Sequence, residues 1–129
     1  VYLTWGNEQE KNRAEKIAAS SDGCHVLPKM GLTKVAGLLS QASGVIGVDT
    51  GLAHLTAALD VPAVTIYMDT SPELTGSCGI DQFCLSQFGT KPKNDKTTGL
   101  RIQINRNITA PKVWEHLQKR IYPACHTFY

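Results

Sequence analysis

Apolar and polar positions along this chain fall in blocks whose spacing switches between that of a buried strand and that of an amphipathic helix. Val1 to Trp5 reads as a strand, and Gly6-Asn7 turns it into a helix from about Glu8 to Ser20 with Ala14, Ile17 and Ala18 facing inward. Asp22-Gly23 stops that helix, and Cys24 to Leu27 makes a second short strand. Leu32, Val35, Leu38 and Leu39 share one face of a helix over Leu32 to Gln41, with Gly44 ending the segment. The continuous run Val45 to Val48 predicts a strand buried on both faces. Past Asp49-Thr50-Gly51 the spacing of Leu52, Leu55, Ala58 and Leu59 is helical, and Asp60-Val61-Pro62 turns the chain into an apolar strand over Ala63 to Tyr67. Ser71-Pro72-Glu73 opens a short helical turn, and Phe83 to Leu85 predicts another strand. Lys91 to Gly99 reads as a polar loop, and Arg101 to Ile104 as a last strand or extended segment. Thr109 caps a final helix reaching Ile121, with Pro111 in its first turn.

Strands alternating with helices predict an α/β fold: a Rossmann-like parallel sheet with helices on both faces. At 129 residues this is one domain. The chain opens on Val1-Tyr2-Leu3-Thr4-Trp5, a strand already under way, and is expected to be a piece of a longer protein. Its 13 basic and 11 acidic residues leave a formal charge of +2, too little to argue for nucleic acid or an anionic membrane surface as partner. No apolar run approaches the roughly 20 residues of a membrane span. Cys24, Cys78, Cys84 and Cys125 show neither a C-x-x-C nor a zinc spacing with the histidines, and are expected to be reduced, mostly buried thiols.

The chemistry concentrates where the Val45–Val48 strand meets the next helix. In an open parallel sheet such a junction lies at the carboxyl edge, where ligands bind. The first free N–H groups of the helix and the positive end of its dipole suit an anion, above all a phosphate. There is no G-x-G-x-x-G after the first strand and no G-x-x-x-x-G-K-[ST], so a dinucleotide redox domain and a P-loop NTPase both lose ground. Asp49 ends the strand and needs a partner, which a ligand hydroxyl or the turn amides supply. Thr50 and Gly51 read equally as an ordinary cap with a permissive glycine and as part of a ligand-binding turn. His54, one turn in, either reaches back to the opening or meets a backbone carbonyl as a half-buried helix residue. Asn7-x-x-Glu10 is a capping box for the first helix.

Asp49-Thr50-Gly51-Leu52-Ala53-His54, continuing through Thr56-Ala57-Ala58-Leu59 into Pro62 and Thr65-Ile66-Tyr67, resembles the signature of the ADP-heptose:lipopolysaccharide heptosyltransferases, glycosyltransferase family 9. Trp5-Gly6-Asn7-Glu8, Arg13-Ala14, Ile17-Ala18 and Val26-Leu27-Pro28-Lys29-Met30 resemble the branch that adds the first heptose to the Kdo–lipid A inner core. The resemblance covers about Val1 to Gly76. It implies the carboxyl-terminal, donor-binding half of a two-domain GT-B enzyme, with residues 1–129 as the ADP-heptose-binding domain and the amino-terminal acceptor domain absent. It implies that Glu10 holds the ribose hydroxyls, Met30 lies by the adenine, and Asp49 contacts the heptose. Thr50, Gly51 and His54 would surround the donor's sugar and diphosphate. The implied reaction is an inverting displacement without metal or cofactor: a Kdo hydroxyl attacks the anomeric carbon and ADP leaves. The general base lies upstream, so no catalytic residue is expected in these 129 residues, and the fragment alone is expected to be inactive. The implied location is cytoplasmic, with peripheral contact at the inner membrane through the whole enzyme. Two other classes remain open, a non-catalytic adenine-nucleotide-binding module and a GT-B-like nucleotide-sugar epimerase. Met68-Asp69 departs from the Gly-Pro usual in the family and places a charge near the expected donor.

Overall fold

Asn7 shows how local chemistry sets an element boundary. Its backbone is extended and its Oδ1 accepts from Glu10 N at 3.0 Å, which opens a helix over Glu8–Ala19 (α1). In the computed structural model, which describes residues 1–89 and 92–121, the chain divides into two compact units, Val1–Leu38 and Leu39–Tyr129. Cys125 lies outside the described residues.

In the first unit, β1 (Tyr2–Leu3) pairs in parallel with β2 (His25–Val26), Tyr2 opposite His25. Both strands are shorter than the sequence pattern predicts. Backbone bonds from His25 N to Val1 O at 2.8 Å and from Leu27 N to Leu3 O at 3.0 Å continue the pairing at both ends, and the Trp5 indole donates to Leu27 O at 2.7 Å. Ala14 is buried as expected, but Ile17 is 49 % exposed. Leu32 opens α2 (Leu32–Leu39) and is also exposed, whereas Val35 and Leu39 are buried.

The second unit is built on five strands in the order β3-β4-β5-β7-β6. These are β3 (Val45–Val48), β4 (Ala63–Tyr67), β5 (Gln82–Ser86), β6 (Lys93–Asn94) and β7 (Arg101–Ile104). The pairs β3–β4, β4–β5 and β5–β7 are parallel. Two features depart from a single parallel sheet. The pair β1–β2 forms its own two-stranded sheet, and β6 runs antiparallel to β7. The predicted polar loop is therefore partly a hairpin. Asp95 Oδ1 accepts from Thr97 N at 2.9 Å and Thr98 N at 3.3 Å, which turns the chain. Gly99 completes the turn at φ +71°, and a Cβ there would meet the Gly79 backbone at 3.0 Å.

Alternate residues of the strands feed two cores. One face carries Val64 and Leu85, packed with Val113 and Leu117 of α5 (Ala110–Ile121). The other gathers Tyr67, Cys84, Leu100 and Ile102. The strand expected to be buried on both faces, β3, is instead an edge strand, with Ile46 50 % and Val48 54 % exposed. The following helix, α3 (Gly51–Ala58), packs on β3 and β4, with Ala53 and Thr56 buried, Leu52 and Leu55 only half-buried, and Ala58 and Leu59 exposed. The shift has a chemical reason: Thr56 Oγ1 donates to Leu52 O at 2.7 Å, which satisfies its hydroxyl inside the helix and lets it be buried. Asp60 ends the segment in the left-handed region at φ 54°, with Val61 N donating to Thr56 O and Asp60 N to Ala57 O. Of the described cysteines, Cys84 is buried, Cys24 half-buried and Cys78 exposed, so the expectation of mostly buried thiols fails at Cys78.

Candidate functional site

The parallel register Val48↔Ile66 brings the residues after β3 beside those after β4, at the carboxyl edge of the sheet. Thr50 is the N-cap of α3, with an extended backbone at φ −146°, ψ 168°. Its side chain makes no capping hydrogen bond, so the helix start keeps N–H groups that its own cap does not satisfy. A Cβ on Gly51 would meet nothing within 4 Å, so the space beside this first helical residue is open. His54 lies on the exposed side of the same helix, one turn in.

Asp49 is half-buried, and among the described residues its partners are neither the turn amides nor a cation. Thr70 Oγ1 donates to Asp49 Oδ2 at 2.5 Å, and Thr75 Oγ1 donates to the same oxygen at 3.1 Å. Thr75 ends a short helix, α4 (Pro72–Thr75), which Ser71 opens by accepting from Glu73 N. This is the helical turn that Ser71-Pro72-Glu73 predicts. Beneath it the Tyr67 hydroxyl donates to Thr75 O at 3.2 Å and accepts from Ser77 N at 3.2 Å. Burial pushes the Tyr67 phenol well above its ordinary range, so it stays protonated and able to donate. Burial also raises the Cys84 thiol beside it.

The second unit therefore holds Asp49, Thr50, Gly51 and His54 on one strand–turn–helix, and adds Thr70, Thr75 and the hydroxyl of Tyr67, none of which the sequence reading gave a role in the site. The sequence signal of Thr70 and Thr75 is position alone: they follow the strand predicted over Ala63 to Tyr67, which the structure pairs with β3. Met68 and Asp69 are both exposed. Glu10 and Met30 belong to the first unit. Glu10 Oε2 accepts from Gly6 N at 2.6 Å while Asn7 caps Glu10 N, a reciprocal cap displaced by one residue from the usual box. Met30 is half-buried. Among the described residues no three His, Cys, Asp or Glu side chains gather as a metal would require, and no helix is long and apolar enough to cross a membrane.

A largely parallel sheet with a strand–turn–helix junction open at its carboxyl edge defines an α/β domain of the Rossmann-like type. The chain belongs to glycosyltransferase family 9, the heptosyltransferases, whose pattern matches residues 1–102. It is 48 % identical over 82 residues to lipopolysaccharide heptosyltransferase 1 of Salmonella typhimurium, covering 64 % of this chain and 26 % of that protein. To the enzyme of the same name from Pseudomonas aeruginosa it is 42 % identical over 98 residues, covering 75 % of this chain and 28 % of the relative. Among solved structures, the Escherichia coli heptosyltransferase WaaC with ADP superposes at a TM-score of 0.64 and 46 % identity, covering 66 % of this chain and 27 % of that one. The same enzyme with ADP-2-deoxy-2-fluoro heptose gives 0.58 and 44 %, over 64 % of this chain and 25 % of that one. The chain spans only about a quarter of the length of these relatives.

Proposed function

We propose that this chain is the donor-binding part of a heptosyltransferase that moves heptose from ADP-heptose to the Kdo–lipid A inner core of lipopolysaccharide. The observation that carries this reading is the likeness, at 46 % identity, to an enzyme solved with ADP. The open start of α3 supports it, because a diphosphate is the part of such a donor that a helix dipole and free N–H groups attract. In this proposal Thr50, Gly51 and His54 attend the diphosphate and Asp49 the heptose, while Glu10 takes the ribose hydroxyls and Met30 the adenine. The reaction is an inverting displacement in which a Kdo hydroxyl forms the new bond to the anomeric carbon as the bond to ADP breaks. Negative charge grows on the diphosphate as it leaves, and a preorganised helix start lowers that barrier. The general base and the acceptor site belong to an amino-terminal domain outside these residues, and the whole enzyme works at the cytoplasmic face of the inner membrane. Nothing in the site favours an epimerase or a stand-alone nucleotide-binding module.

Thermal melts of the full-length protein with ADP and with free heptose test the reading. At a concentration about 100 times its Kd, ADP is expected to stabilise the fold by about 2.7 kcal/mol, with little shift from free heptose. Equal shifts, or none with ADP, count against the phosphate site.

A further inference from the structure

We infer that Thr70 and Thr75 are positioning residues that hold the Asp49 carboxylate so that one oxygen faces a sugar hydroxyl of the donor, an inference that rests on the donor-site reading above. Both hydroxyls converge on Oδ2, at 2.5 and 3.1 Å. A carboxylate has about four acceptor positions, so two donors on one oxygen leave the lone pairs of Oδ1 for another partner. Thr75 Oγ1 has a competing acceptor in Ser71 O, but at 3.5 Å the carboxylate is the nearer.

The two donors are neutral. Among the described residues the ion pairs are Lys11–Glu15 and Lys119–Glu115, and neither involves Asp49. Hydroxyl partners fix the plane of the carboxylate while leaving its charge in place. A charged carboxylate repels a diphosphate and accepts strongly from a polyol, so it addresses the sugar end of a nucleotide sugar. The fixing is deep. Tyr67 and Ser77 are fully buried, and Tyr67 grips the Thr75 carbonyl, so the exposed threonine hydroxyl is mounted on the core. Two points of support, one after β4 and one at the end of α4, restrain the rotation of the Asp49 side chain.

The experiment is calorimetric titration of the full-length protein with ADP-heptose and with ADP. Thr70→Val/Thr75→Val removes both hydroxyls at nearly constant shape. It is expected to weaken ADP-heptose about tenfold, the loss of roughly one charge-assisted hydrogen bond, and to leave ADP unchanged. Thr70→Ser/Thr75→Ser keeps the hydroxyls and is expected to restore the difference. Unchanged ADP affinity also shows that the valine variant is folded. Asp49→Asn is the reference. If it separates the two ligands and the valine variant does not, or if the valine variant weakens both equally, the positioning role is overturned while the donor site stands. If Asp49→Asn separates nothing, the donor-site reading falls and takes the positioning role with it.

Discussion

Tyr67 is fully buried, yet its hydroxyl is a working donor and acceptor between Thr75 O and Ser77 N. Tyr67→Phe keeps the ring in the core with Cys84, Leu100 and Ile102 but strands a buried N–H and a carbonyl. It is expected to lower stability by about 1–3 kcal/mol, read as a drop in the urea midpoint at unchanged slope. Glu10 admits a sharper separation, because its carboxylate already accepts from Gly6 N. If it also holds the ribose, Glu10→Gln weakens ADP about tenfold, since charge-assisted bonds are stronger than neutral ones. If it is only a cap, the unfolding midpoint falls and ADP affinity does not change. At this scale the sequence showed the strand–turn–helix residues, which are neighbours along the chain. It did not show Thr70 and Thr75, which reach Asp49 across 21 and 26 residues, because a threonine in a polar turn carries no mark of the partner it will meet.

Single elements were legible where one local rule decides them. The apolar run of β4, the Ser-Pro start of α4 and the capped start of α1 all stand where the pattern put them. Burial was less legible, since it depends on what lies opposite: α3 turned Thr56 inward against the leucine pattern, and Ile17 and Leu32 face solvent. The end of α4 gives a steric prediction. A Cβ on Gly76 would lie 2.3 Å from Pro72 O and 2.6 Å from Leu100 Cδ1. Gly76→Ala is therefore expected to cost about 1–3 kcal/mol by overpacking, seen as a lower Tm. On α5, His116 stacks on Phe83 at 4.2 Å, and burial, with Arg120 and Lys119 adding, holds its pKa below the ordinary value against a small opposing pull from Glu115. Near pH 6 the unfolded chain thus binds more protons than the folded one. Stability from this group is complete above about pH 6.5 and falls as the pH drops below it. His116→Gln is expected to flatten the dependence of Tm on pH between about 5 and 7. An unaltered slope would show that the stacked ring titrates as it does in the unfolded chain.

For the whole molecule, alternation of strand and helix was enough to reach the α/β class, and the largely parallel sheet and its likeness to the solved WaaC structure bear it out. The division of the strands into two sheets and the β6–β7 hairpin were not legible, because strand pairing is decided by partners remote in sequence. The outer position of β3 in its sheet carries a consequence of another kind. As the outer strand of the five-stranded sheet, with two half-exposed β-branched side chains, Ile46 and Val48, β3 is of the kind on which a second molecule can add a strand. Concentrating the protein is expected to raise light scattering before any unfolding is seen by circular dichroism, and Ile46→Lys, a gatekeeper charge on that strand, is expected to delay it. The colloidal lifetime of this protein is then limited at the same strand whose far end leads into Asp49, so a remedy for aggregation must be written into Ile46 and kept clear of the turn.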